Sequence, residues 1–141
     1  MILAIIACNK GKVETIPHVS VKFFNTDIVP QGSTLRVTLD FTDREGDLDS
    51  IIVMRQRINA RGQQYNRLPY GVPKFNGESR GELIVNLDYP FSLTLDLSAL
   101  RIPGTNPARN EPDTLQLRFQ LKDKAGHISD STSPRQVIVI R

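Results

Sequence analysis

Beyond residue 19 the apolar and polar positions alternate with a period of two, the pattern of strands that bury one face and wet the other. In TLRVTLDFTD, Leu35, Val37, Leu39 and Phe41 alternate with Arg36, Thr38 and Asp40. ELIVNLDY sets Leu83, Val85, Leu87 and Tyr89 on one face, FSLTLDLS does so with Leu93, Leu95 and Leu97, and TLQLRFQLKD with Leu115, Leu117, Phe119 and Leu121. In SIIVMRQRIN the pattern places Ile52, Met54 and Ile58 inward and projects Arg55 and Arg57 together from the opposite face. VSVKFF and the terminal QVIVIR complete a set of strands predicted at 19–24, 34–43, 51–59, 82–89, 91–98, 113–122 and 136–141.

Turn residues fall between these runs: Pro30-Gln31-Gly32, Gly71-Val72-Pro73, Asn76-Gly77, Pro103-Gly104 and Pro107. Short alternating strands, breaker-rich turns and almost no helical spacing predict an all-β fold, an immunoglobulin-like antiparallel β-sandwich of about seven strands. The 141 residues suffice for one such core without disulfides or metals as obligatory staples.

Charge changes the picture by its distribution. A formal net charge of +3, from 18 basic and 15 acidic residues, forms no basic stripe and so excludes nucleic acid as the expected partner. Five of the 15 acids, however, lie in residues 40–49. Residues 51–80 answer with Arg55, Arg57, Arg61, Arg67, Lys74 and Arg80 against the single acid Glu78.

The acidic stretch has an echo. LDFTDREGDLDS (39–50) lies over FQLKDKAGHISD (119–130) without a gap, matching Asp43 with Asp123, Gly46 with Gly126 and Leu48 with Ile128. Each is a strand end followed by an Asp that can accept backbone N–H bonds and a Gly suited to positive φ. In an immunoglobulin-like topology these loops share one pole of the sandwich. Two readings follow. Alternate carboxylates can converge hard oxygens on Ca²⁺, with Asp43, Glu45, Asp47 and Asp49 as candidates and Asp123 as a fifth from the neighbouring loop. Alternatively the acids form a solvated or arginine-paired turn. The spacing is not an EF-hand: counted from Asp43, glycine stands fourth and Met54 twelfth, where that loop requires Gly sixth and Glu twelfth.

The stretch from Arg55 to Lys74 offers a second candidate surface. Arg55, Arg57, Arg61, Tyr65, Arg67 and Tyr70 combine guanidinium and aromatic faces that suit a glycan or a protein partner, or else make a solvated face. No enzymatic function is expected: the two histidines, His18 and His127, cannot make a three-histidine metal site, and no nucleophile elbow, His-Glu-x-x-His pair or phosphate loop occurs.

The chain opens MILAIIACNKGK, and its one cysteine, Cys8, follows Ala7, with Ile5 three positions before it. This resembles the end of a bacterial lipoprotein signal, in which the cysteine becomes the lipidated first residue of the mature protein. The usual positive start is missing and seven residues precede Cys8, too few to span a membrane, so the stretch reads as the end of such a signal. The other reading is an apolar N-terminal strand that carries a cysteine. The chain then divides into a signal end at 1–8, a flexible tether at 9–18 and the sandwich at 19–141.

Taken with the FTDREGDLDS and LKDKAGHISDS turns, this organisation resembles small envelope lipoproteins of the Bacteroidota that carry one bacterial immunoglobulin-like domain. Asp123, Gly126 and Ser129 match the Asp-x-x-Gly-Asn-x-Ser turn of such domains, and His127 departs from it by replacing the asparagine. The resemblance implies a lipid-anchored cell-envelope protein, in the outer membrane, that acts as a binding or assembly accessory for a protein or glycan partner. Its alternative is a structural envelope domain with a Ca²⁺-stabilised acidic loop.

Overall fold

The computed structural model describes residues 15–73 and 77–141. Cys8, the signal end 1–8 and the tether up to residue 14 lie outside the described residues. Among those described, the strands are β1 (His18–Phe24), β2 (Ile28–Val29), β3 (Thr34–Thr42), β4 (Leu48–Arg57), β5 (Asn66–Gly71), β6 (Arg80–Asp88), β7 (Leu100–Arg101), β8 (Asn110–Glu111), β9 (Asp113–Asp123) and β10 (Arg135–Val139).

Two sheets face each other, one ordered β1-β3-β6 and the other β2-β10-β9-β4-β5, and β7-β8 form a short separate hairpin. All pairings are antiparallel except β10 with β2. In immunoglobulin terms the first sheet is the A–B–E layer and the second the C–F–G layer, extended at its edges by β5 and β2. The alternation in sequence supplies the core: Leu35, Val37, Leu39 and Phe41 of β3 with Leu83, Val85 and Leu87 of β6 on one side, and Leu115, Leu117, Phe119 and Leu121 of β9 on the other. Phe24 meets Phe119 edge-on at 6.1 Å between ring centres, closing the gap between the layers.

Two sequence expectations are corrected. In β4 the inward residues are Ile51, Val53, Arg55 and Arg57, opposite Leu121, Phe119, Leu117 and Leu115 of β9. The inward face is therefore not that of Ile52, Met54 and Ile58. A bulge between Leu48 and Ser50 causes the change of phase: the extra residue, Asp49, lets Leu48 and Ile51 both point inward. The run Ile51-Ile52-Val53-Met54 is apolar on both faces and does not reveal which phase is used.

The second correction concerns 91–98, which is not a strand. Tyr89–Leu93 form one wide helical turn with Pro90 near its start, and Thr94 to Ala99 continue as irregular chain. Of the alternating leucines Leu93 alone is fully buried, while Leu95 is exposed. The segment instead directs its carbonyl groups toward Arg55 and Arg57. The expected long connection after residue 59 contains β5, which pairs with β4 from Ser50↔Gly71 to Arg55↔Asn66.

Candidate functional site

The echoing loops close with the same two turn bonds. In the first, the Asp43 carbonyl accepts the Gly46 N–H at 3.0 Å and its Oδ2 accepts the Asp47 N–H at 2.8 Å. In the second, the Asp123 carbonyl accepts the Gly126 N–H at 3.1 Å and its Oδ1 accepts the His127 N–H at 2.7 Å. Both glycines have positive φ, +65° and +94°. Gly46 is required twice over, because a Cβ there would lie 2.2 Å from the Gly77 carbonyl oxygen. The loops are neighbours: the Lys124 N–H donates to the Asp47 carbonyl at 2.9 Å.

They differ in how the second carboxylate oxygen is used. Asp123 Oδ2 lies 2.7 Å from His127 Nδ1. Burial favours the neutral acid there, but the His127 ring and backbone N–H outweigh it and hold the Asp123 carboxyl below the usual carboxylate range. Asp43 is 1% exposed, and among the described residues its Oδ1 has no hydrogen-bond partner; nor does Asp47 Oδ1. Burial is the largest influence on Asp43 and raises its carboxyl above the usual range. The Asp47 N–H opposes this, and the charges of Asp47, Glu45 and Asp123 add to the rise.

Asp43, Glu45 and Asp47 each place an oxygen within 4.8 Å of the others, a group that could hold a metal ion. No described lysine or arginine lies within ion-pair distance of any of the three, although the charge of Arg44 helps hold the Glu45 carboxyl down. Asp49 and Asp123 do not join the group. Asp49 is the bulge residue and points to solvent, and Asp123, whose oxygens face His127, is not among the three grouped carboxylates.

Glu45 carries a contact absent from the sequence reading. Its two oxygens accept the Thr15 N–H at 2.9 Å and the Thr15 hydroxyl at 2.6 Å, and chiefly the hydroxyl bond holds its carboxyl below the usual range. Thr15, where the described residues begin, thus docks on the acidic loop itself.

The arginine and tyrosine residues expected to form a binding surface separate into two sets. Arg55 and Arg57 are 3% and 6% exposed and serve as internal struts, so they belong to no surface patch. Arg55 donates to the carbonyls of Ser92 at 2.6 Å and Leu95 at 2.7 Å. Arg57 donates to the Ser98 carbonyl at 2.7 Å and to Asp113 Oδ1 at 2.9 Å. Burial pulls the Arg55 guanidinium below its ordinary value. Tyr70 turns its hydroxyl to Ser92 Oγ at 2.6 Å. What reaches the surface is Arg61 and Arg67, together with a half-buried Tyr65 whose ring lies under Arg118 at 5.4 Å.

Asp113, fully buried, and Arg141, whose guanidinium Nε lies 3.4 Å from Asp113 Oδ2, were not singled out by the sequence reading. A carboxylate at an inward position of an otherwise alternating strand was the available signal for Asp113. Ser129 is explained too: its hydroxyl accepts the Leu121 N–H at 2.8 Å, standing in for a ladder bond as the chain turns toward β10.

No protein-family model and no curated protein matches this chain. Among solved structures it is similar to Spo0M, a sporulation control protein from Bacillus subtilis, at 12% identity over 90% of this chain and 50% of that one, with a TM-score of 0.46. A β-glucosidase from Listeria innocua in complex with gluconolactone is similar at 10% identity over 89% of this chain and 16% of that one, with a TM-score of 0.45. A Niemann-Pick type C2 protein from the Japanese carpenter ant is similar at 9% identity over 89% and 94%, with a TM-score of 0.43. The chain spans half or less of the length of the first two. At these scores the likenesses carry no argument about function.

Proposed function

We propose that this chain is a non-enzymatic, lipid-anchored protein of the bacterial cell envelope, of the Bacteroidota outer-membrane lipoprotein kind. Its immunoglobulin-like domain serves as a binding or assembly accessory for a protein or glycan partner, and Ca²⁺ stiffens the pole nearest the anchor. The observation that carries the cation in this reading is that two of the three grouped carboxylates, Asp43 and Asp47, each have a buried oxygen, Oδ1, with no donor among the described residues, beside Glu45 and its contact with Thr15. A buried carboxylate oxygen without a donor is costly. A hard divalent cation meets that need with oxygen ligands and adds water to complete its shell. Asp43, Asp47 and Glu45 would hold it, and the charge it brings offsets their mutual repulsion.

Calorimetric titration of the metal-free chain with CaCl₂ should give one saturable site, and Asp47→Asn should weaken it at least about tenfold, the loss of one charged ligand. A titration without binding heat or any other sign of saturation removes the metal from this reading. The lipoprotein-like run ending at Ala7-Cys8 puts attachment at Cys8 in this reading. In cells that produce the protein, labelled palmitate should mark the wild type and not Cys8→Ala. Label retained by the variant would end the anchor assignment.

A further inference from the structure

Sheet edges that could join another chain are blunted in this fold, with one exception. β1 is broken by a bulge at Lys22, β2 is two residues long, and β5 has Pro69 in its middle. β6 has none of these devices. Its nine residues pair with β3 without interruption from Thr42↔Arg80 to Thr34↔Asp88, they include no proline, and no further described strand pairs with its other side. The Ser79 carbonyl and the Tyr89 N–H both bond toward the β3 side, to Asp43 and Ser33. By antiparallel alternation the N–H and C=O groups of Glu82, Ile84 and Asn86 therefore face the open edge.

On the outer surface of this sheet, Ile84 and Phe23 are each 58% exposed and lie in one cross-strand row with Thr38 between them. Polar and charged side chains flank them along β6: Arg80, Glu82, Asn86 and Asp88.

We propose that two copies of this chain pair through β6, edge to edge and antiparallel, about a two-fold axis at Ile84, making one continuous sheet of six strands. The charges select this register. Pairing about Ile84 sets Arg80 opposite Asp88 of the second copy, Glu82 opposite Asn86, and Ile84 opposite itself, so each outward pair is complementary or apolar. A shift of the axis to Val85 would oppose Glu82 to Asp88, and a shift to Leu83 would oppose Asp88 to Glu78. Both put like charges together. A two-fold contact uses the same patch on both partners, and this strand is self-complementary in its charges as such a contact requires.

Sedimentation velocity on the full chain, up to its solubility limit, tests this. The wild type should be a concentration-dependent dimer, and Ile84→Lys, which sets two ammonium groups against each other on the axis, should be a monomer. Arg80→Asp and Asp88→Arg should each lose the dimer, while the double variant Arg80→Asp/Asp88→Arg should regain it. These side chains point outward, and circular dichroism can verify that each variant folds. A wild type that stays monomeric, a dimer that survives Ile84→Lys, or a folded double variant that stays monomeric overturns the proposal.

Discussion

Replacing Arg57 with alanine should lower the stability of this domain by about 3–5 kcal/mol, the cost of leaving one member of a buried ion pair without its partner. The guanidinium joins Asp113 at 2.9 Å, where the side chains are 6% and 0% exposed, and it also holds the Ser98 carbonyl at 2.7 Å. Its removal leaves Asp113 with Arg141 alone, at 3.4 Å, and takes the donor from the Ser98 carbonyl. The midpoint of thermal unfolding should fall on the order of 10–20 °C. Arg61→Ala, four residues on and exposed, should change stability by no more than about 0.5 kcal/mol. Equal and small effects for both variants would return Arg57 to the surface patch that the sequence suggested.

That contrast shows what the sequence could and could not disclose. Period-two alternation located β3, β6 and β9 because each alternates cleanly, with one face destined for the core; β1 changes phase at its bulge, burying Phe24 and exposing Phe23, and β10 is apolar on both faces and was located by its apolar run. It misplaced the face of β4 because Ile51 to Met54 are apolar on both sides and a one-residue bulge at Asp49 sets the phase. It took 91–98 for a strand because Leu93, Leu95 and Leu97 alternate. There the chain's carbonyl groups satisfy two buried guanidinium groups, a tertiary demand that no local pattern records. The arginines read as surface because burial of a charge depends on partners, and Asp113 is 56 residues from Arg57.

The acidic pole was more legible. The match of Asp43-x-x-Gly46 to Asp123-x-x-Gly126 rests on local turn chemistry, which short-range sequence does encode, and both turns close on their aspartates with the same bonds. The separation of the five candidate acids into a group of three was not legible. It depends on the bulge that turns Asp49 outward and on the His127 ring that engages Asp123.

The unpartnered oxygen of Asp43 makes a prediction about pH as well as about metal. Its folded-state pKa is raised, so the folded chain takes up a proton at Asp43 before the unfolded chain does. Without a cation, ionised Asp43 therefore costs stability at neutral pH, and this cost is relieved as pH falls through the raised pKa. Asp123 behaves oppositely. Its folded pKa is lowered, so its contribution is present above the unfolded value and is lost as pH falls through the folded one. A neutral isostere at Asp43 should have the effect of the proton while keeping an oxygen for the Asp47 N–H.

The decisive measurement is thermal unfolding at neutral pH of wild type and Asp43→Asn, each in excess EDTA and in saturating Ca²⁺. In EDTA the variant should be at least as stable as the wild type, since it removes a buried charge and keeps the turn. With Ca²⁺ at 100 times its dissociation constant the wild type should gain about 2.7 kcal/mol and the variant little or nothing. A wild-type midpoint that does not respond to Ca²⁺, or a variant that responds equally, would contradict a cation-stiffened pole at Asp43, Glu45 and Asp47.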